Sequence, residues 1–335
     1  MPWRDNPVPY HVWIAEIMAQ QTRLETMLPY YQRWLERFPN IEALASADLQ
    51  DALVLWEGLG YYQRARNLHA AALEVVEHHG GQLPESSEVL RKLPGIGPYT
   101  AGAIASVAFG LDEPAVDGNA IRVLSRLFDI QHELNSSAGK RAFWEAARQI
   151  LPSGQASDFN QGLMDLGARV CLPRNPRCET CPLKTDCEAF KLGIQDLRPV
   201  RKTSAELPLR HYVSLVSHRG DKVRLQQRPQ DALLGGMWEF PNIETDPDLD
   251  EGQVLSLIRK EWGLSLRVLR PLTEITHTYS HFQANVRAFI AELPSQIAES
   301  SALGPGDWVQ IEDLDQRPMG KIDRSIANRL RGNVG

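Results

Sequence analysis

No apolar run in the 335-residue chain approaches the roughly 20 residues that a membrane-spanning helix needs. The opening stretch, MPWRDNPVPYHVW, lacks the basic-then-apolar order of a secretory signal, so the expectation is a cytoplasmic protein. A surplus of positive charge is also missing. The 36 Lys+Arg face 42 Asp+Glu, a net charge of −6, and the regions before and after Thr203 share the deficit about equally. Bulk charge therefore gives nucleic-acid binding no support, and any phosphate must be held by local patches, backbone amides and helix N-termini. There is no internal repeat. Cysteine is scarce and confined to one stretch, which argues against disulfides and for a metal site. What remains is ordinary globular composition, 43% hydrophobic and 23% charged, in a chain long enough for two domains or more.

Residues 10 to 193 read as helices with short connections. YYQRWLERF, ALVLWEGL, ARNLHAAALEVVEHH and AGAIASVAFG carry helical spacing of apolar residues. Phe38-Pro39-Asn40, Gly80-Gly81 and Pro94-Gly95 separate them. From about residue 211 the texture shifts to short, partly alternating segments: HYVSLVSHR, KVRLQQR and NVRAFIAEL predict strands. Between them QVLSLIRKEWGL predicts a helix ending at Gly263. The expected fold is multidomain: an all-α domain over 1–198, a Pro-containing basic linker over 199–207, and an α+β domain over 208–335.

Four features carry chemistry. The helix VWIAEIMAQQT sets one carboxylate, Glu16, among Val12, Trp13, Ala19 and Gln20, an apolar setting that raises a carboxyl pKa. LPGIGPYTAG combines Gly95 and Gly97, which allow a tight turn and close backbone approach, with Pro98 suited to a first helical turn. The helix that follows exposes N–H groups able to bind an anion. In AVDGNAIRVLSRLF, Asp117 and Asn119 precede an amphipathic helix and by themselves read as caps; Arg122 and Arg126 read as structural ion-pair partners. The cysteines Cys171, Cys178, Cys181 and Cys187 follow C-x6-C-x2-C-x5-C. Zinc sites usually show two close pairs, and four thiolates are also the usual ligand set of an iron–sulfur cluster, so spacing leaves both open.

The cysteine loop (171–187) and LPGIGPYTAG (helix–hairpin–helix, 93–109) resemble the corresponding segments of the endonuclease III superfamily of DNA glycosylases. PWR, VWIAEIMAQQTRLETMLPYY, WEGLGYYQRARNLH, VDGNAIRVLSRL and QGLMDLGARVC then occur in the order of its adenine-specific, MutY-type members. The resemblance implies a monomeric base-excision-repair enzyme, cytoplasmic and nucleoid-associated. It would remove adenine mispaired with 8-oxoguanine or guanine from double-stranded DNA and carry a structural 4Fe–4S cluster on the four cysteines. Arg174, Arg177 and Lys184, between the ligands, are then candidates for a DNA phosphate. Glu16 matches the general acid and Asp117 the second carboxylate; Tyr99 and Asn119 match residues that support the sugar and the carboxylates. Trp3 and Arg4 match the adenine-pocket wall, and Gln21, Leu59 and Tyr61 match residues that enter the DNA stack. Where members that also cut the backbone carry a Schiff-base lysine, this chain has Tyr99, and a phenol cannot form that bond.

The C-terminal half resembles the MutT-like (Nudix-fold) domain. Tyr279, Ser280 and His281 of HTYSHFQ match its lesion-reading loop. A working Nudix hydrolase needs G-x5-E-x7-R-E-U-x-E-E-x-G-U. Here Ser256 and Leu257 replace Arg-Glu, Lys260 replaces a glutamate, and Glu261 and Gly263 remain, which implies binding without hydrolysis. The family normally has a helix before PWR; since this sequence starts at Met1-Pro2-Trp3, the expectation is either a late start site or a trimmed lobe. Ala19 stands where leucine is common, and Gly162 stands where alanine is usual. Three rivals are an endonuclease III-like glycosylase/lyase, a non-catalytic DNA-damage binder, and a Nudix hydrolase with a DNA-binding extension.

Overall fold

The computed structural model describes residues 1–202, 206–266, 268–293 and 305–334; part of the expected linker lies outside them. The chain divides into two compact units, Met1–Ala47 with Arg64–Ser204, and Asp48–Gln63 with Ala205–Gly335. Residues 48–63 fall inside the expected helical domain by sequence but group with the C-terminal unit.

The helices of the first 202 residues are α1 (Pro2–Asp5), α2 (Pro9–Ala19), α3 (Leu24–Arg37), α4 (Ile41–Ala45), α5 (Leu49–Trp56), α6 (Gln63–His79) and α7 (Ser87–Leu90). They continue with α8 (Pro98–Phe109), α9 (Gly118–Leu127), α10 (Ser137–Ile150), α11 (Ala156–Arg169) and α12 (Glu188–Leu192). α2 buries Tyr10, Val12, Trp13, Ile14, Ala15, Ile17 and Met18. A helix apolar on nearly every side is central rather than amphipathic. α8 packs beside it and is built of small residues, with Thr100 through Val107 all buried. Gly102 makes that packing possible, because a Cβ there would lie 2.0 Å from the Pro114 carbonyl oxygen. α9 is amphipathic: Ala120, Val123 and Leu124 join Phe143, Ala147 and Leu163 in one cluster.

The C-terminal unit is built on a seven-stranded mixed sheet. Its strands are β1 (Leu209–Arg219), β2 (Lys222–Gln227), β3 (Trp238–Glu239), β4 (Asn242–Thr245), β5 (Arg270–Thr278), β6 (Gln283–Glu292) and β7 (Asp307–Gln310). The main path runs β3-β2-β1-β6-β5, with β1 and β6 parallel from Leu209↔Gln283 to His218↔Glu292. Period-two alternation divides the apolar residues between two faces. Val213, Leu215, Phe289 and Ala291 meet Val254 and Ile258 of α13 (Glu251–Trp262). Val216, Ala284, Val286 and Ala288 meet Ile322, Ile326 and Leu330 of α14 (Lys321–Val334). α13 begins with a reciprocal capping box between Asp250 and Gln253 and ends at Gly263 in the left-handed region, φ 65°, the predicted stop. No helix among the described residues is long and apolar enough to cross a membrane.

Candidate active site

Two helix N-termini and the central helix bring the sequence-predicted carboxylates into one electrostatic group. The chain reaches α8 through Gly95, whose φ of 75° and close approach to Asn67 (2.6 Å for an added Cβ) leave no room for a side chain. Gly97 then caps the helix, Pro98 occupies its first turn, and Tyr99 follows. The Tyr99 hydroxyl donates to Glu16 Oε2 at 2.5 Å and lies 3.5 Å from Met164 Sδ. Burial raises the Glu16 pKa; the Tyr99 bond and the Arg4 charge partly oppose this, and the Asp117 charge adds to it. Burial and the neighbouring Glu16 push Tyr99 well above the usual phenol range.

Asp117 is the cap of α9: Oδ1 accepts from the Ala120 N–H at 2.7 Å, and Oδ2 accepts from Asn119 Nδ2 at 2.8 Å. Burial raises its pKa as well, against these donors and the Arg122 charge. Both carboxylates cannot ionise freely in one desolvated site. Asp117 collects more N–H donors, so it is the better anion and Glu16 the better holder of a proton. Arg4 comes to the same group and is gripped in fork geometry by Asp165, with contacts of 3.0 and 3.2 Å. Trp3 is buried, its indole edge-on to Tyr31 at 5.0 Å.

Among the described residues Arg122 and Arg126 make no salt bridge with a carboxylate, contrary to the expectation for them. The guanidinium of Arg122 donates to Asn119 Oδ1 (2.8 Å), the Gly167 carbonyl (2.7 Å) and the Cys171 carbonyl (2.6 Å). Arg126 donates to Cys171 Sγ (3.2 Å) and to the carbonyls of Leu172 and Gln195. Both residues are buried, so their charge serves unpaired carbonyls at the ends of other elements. The four cysteines line one small cavity with Arg126 and Phe190. No three candidate ligands among the described residues lie close enough together for a single metal ion. Lys184, between Cys181 and Cys187, pairs with Glu179 at 2.5 Å.

Of the residues expected in the DNA stack, Gln21 and Tyr61 are exposed and Leu59 is buried. Gln21 (φ 56°) and Tyr61 (φ 49°) both occupy the left-handed region. In the C-terminal unit, Ser280 and His281 are exposed on the β5–β6 connection. Tyr279 stacks on Phe282 (4.9 Å) and lines a cavity of about 310 Å³ with His281, Arg228, Asn242 and Asp323. Burial and the neighbouring Glu239 push Asp323 up to about 7. Ser214 Oγ, buried in the same wall, has no hydrogen-bond partner among the described residues. On α13, Ser256 bonds back to the Gly252 carbonyl, and Lys260 pairs with the exposed Glu261.

Four residues that hold the site went unnoticed in the sequence. Arg64 donates to the carbonyls of Ile17, Met18 and Gln20, satisfying the end of the Glu16 helix. Asn160 holds the segment before Asp117 through Ala115 N–H, the Glu113 carbonyl and Ser106 Oγ. Gly167 admits Asn119, since a Cβ there would sit 2.6 Å from Asn119 Cβ. Asp165 orients Arg4. Only Gly167, a glycine inside a helix, left a signal a sequence reading could follow.

Residues 14–149 match the HhH-GPD superfamily of base excision DNA repair proteins, and residues 212–329 match the NUDIX domain. The adenine DNA glycosylase of Rattus norvegicus is 34% identical over 375 residues, covering 96% of this chain and 72% of the rat protein. The adenine DNA glycosylase of Buchnera aphidicola subsp. Baizongia pistaciae is 35% identical, over 84% of this chain and 78% of that protein. Among solved structures, a thermostable thymine-DNA glycosylase superposes with a TM-score of 0.53 at 32% identity, covering 57% of this chain and 88% of that one.

Proposed function

The chain belongs to the adenine DNA glycosylase family, and from that premise we propose that it removes adenine mispaired with 8-oxoguanine or guanine in duplex DNA. The reaction hydrolyses the N-glycosidic bond and leaves the backbone uncut. The observation that carries this reading is the Tyr99–Glu16 hydrogen bond in a group completed by Asp117 and Asn119. An N-glycosidic bond breaks readily when the base leaves neutral and the positive charge growing on the sugar is stabilised. Glu16 gives its proton to a ring nitrogen of a flipped adenine, with Tyr99 fixing Oε2 and so orienting the carboxyl. Asp117, held as an anion by Ala120 N–H and Asn119, faces the oxocarbenium. Water then adds its hydroxyl to the sugar carbon and returns a proton to a carboxylate. No lysine stands at the Tyr99 position, so no Schiff base forms and the strand stays whole.

Three further assignments belong to this reading. The residues suit a 4Fe–4S cluster held by Cys171, Cys178, Cys181 and Cys187. The thiols share one cavity, and an arginine donates to one sulfur. Such a cluster, when bound, supplies shape to the loop rather than base chemistry. Gln21 and Tyr61 enter the duplex stack. Their left-handed backbone is costly for residues with a Cβ, and such strain is concentrated at functional sites. Trp3 and Arg4 form the adenine-pocket wall, and Tyr279, Ser280 and His281 read the damaged partner base.

The test is single-turnover excision from duplexes carrying adenine opposite 8-oxoguanine, guanine, cytosine or thymine, with and without alkali. Adenine release opposite the first two, with strand breaks only after alkali, is the expected result. Strand breaks without alkali would favour the glycosylase/lyase alternative.

A further inference from the structure

The turn that carries Tyr61 is fastened at both ends to one residue of the C-terminal chain, Met319. α5 ends at Trp56, and Gly58-Leu59-Gly60-Tyr61 follows, with φ values of 100°, 72° and 49° at Gly58, Gly60 and Tyr61. Trp56 Nε1 donates to the Gly60 carbonyl across the turn at 3.1 Å. On the near side, Glu57 Oε2 accepts the Met319 N–H at 2.9 Å. On the far side, the Tyr62 hydroxyl donates to the Met319 carbonyl at 3.4 Å and accepts the Gly58 N–H at 3.2 Å. The Met319 residue thus contributes both its N–H and its C=O to closing the turn.

The Glu57 carboxylate is held further by a guanidinium. Arg324 Nε reaches Oε1 at 2.5 Å and Nη2 reaches Oε2 at 3.0 Å, a bidentate pair whose side chains are 17% and 19% exposed. The remaining Arg324 donors go to the carbonyls of Leu314 and Arg317 and to Asp315 Oδ1. Arg324 lies on α14, so the hub is fixed to a helix of the C-terminal core. In the first turn of α5 the contact is repeated in neutral form: Gln50 donates to the Gly236 carbonyl (3.0 Å) and accepts from Trp238 Nε1 (3.1 Å). A rigid planar fork sets direction as well as distance, which a turn of three left-handed residues needs.

We propose that Glu57, gripped by Arg324 and Met319, is a positioning residue for base excision: it holds the 58–61 turn in the shape that presents Tyr61 to the duplex. The C-terminal chain would then take part in opening the helix as well as in reading the lesion. This rests on the reading that Tyr61 enters the stack.

The experiment uses the full-length, cluster-loaded chain and four variants: Glu57→Gln, Arg324→Lys, Tyr61→Ala and the Glu57→Gln/Tyr61→Ala double. Each is read three ways: melting by circular dichroism, single-turnover adenine release, and fluorescence of 2-aminopurine beside the mispair as a report of unstacking. Glu57→Gln and Arg324→Lys are expected to melt as folded proteins, to lose most of the 2-aminopurine signal, and to slow excision about 10- to 100-fold, the scale of a misplaced group. The double variant is expected to be no slower than Tyr61→Ala, because both act through one turn. Native unstacking and rate in Glu57→Gln, with Tyr61→Ala slow, overturn the proposal and leave the wedge reading standing. A native rate in Tyr61→Ala overturns the wedge reading itself, and this proposal with it. Failure of both Glu57→Gln and Arg324→Lys to fold assigns the pair to stability and overturns the positioning role.

Discussion

Replacing Tyr99 by phenylalanine removes the O–H that donates to Glu16 and with it one of the groups that favour the glutamate anion. The Glu16 pKa, already raised by burial, moves higher still. Excision depends on protonated Glu16, so the rate falls as pH rises through that pKa. Its alkaline limb should therefore shift to higher pH in Tyr99→Phe, whatever happens to the maximal rate. A pH series of single-turnover rates checks this; a limb that stays in place, or moves to lower pH, contradicts the assigned hydrogen bond. The same sign governs stability. A raised folded-state pKa contributes stability that is fully present below the unfolded value and is lost as pH rises through the folded one. At this scale the sequence was informative about identity and silent about partners. Glu16 stood out among apolar neighbours, whereas Arg64 and Asn160, whose contacts are to carbonyls and amides distant in sequence, carried no local pattern.

Among the elements, α11 offers a contrast between two of its glycines. Gly162 is exposed with nothing within 4 Å of an added Cβ, whereas Gly167 is pressed against Asn119. Gly162→Ala should raise stability by about 0.5–1 kcal/mol, the helix-propensity difference, and leave excision unchanged. Gly167→Ala should displace Asn119, lose a large part of the excision rate and lower the melting point. Thermal melts and single-turnover rates on both variants decide it; equal behaviour of the two would contradict the packing described. Helix and strand positions were readable where the apolar periods are clear, as in α9 and β6. The grouping of residues 48–63 was not readable. Its anchors, Glu57 to Arg324 and Gln50 to Trp238, span more than 180 positions in the chain, and polar pairs leave no periodicity.

For the molecule as a whole, a net charge of −6 gives no bulk attraction to DNA, so the two units must act through built sites. The C-terminal unit matches the NUDIX domain, but of the Arg-Glu…Glu-Glu end of the hydrolase box it keeps only Glu261: Ser256 is turned back on its own helix and Glu261 is exposed beside Lys260. With magnesium and 8-oxo-dGTP it should release no phosphate or pyrophosphate above a metal-free control; release would restore the hydrolase alternative. The cysteine loop and the hairpin were legible because their spacing is tight and their residue types are rare. The cavity of the C-terminal unit was not, since Asp323, Ser214 and Tyr279, which line it, come from three distant segments.

The central claim is that one buried acid supplies the proton, and Glu16→Gln tests it most directly. The variant keeps the shape of the side chain and still accepts from Tyr99, so duplex binding should be unchanged. Single-turnover adenine release from an adenine:8-oxoguanine duplex should fall by about 10²–10⁴-fold, the usual contribution of a general acid. Release at the native rate, with binding intact, would contradict the account.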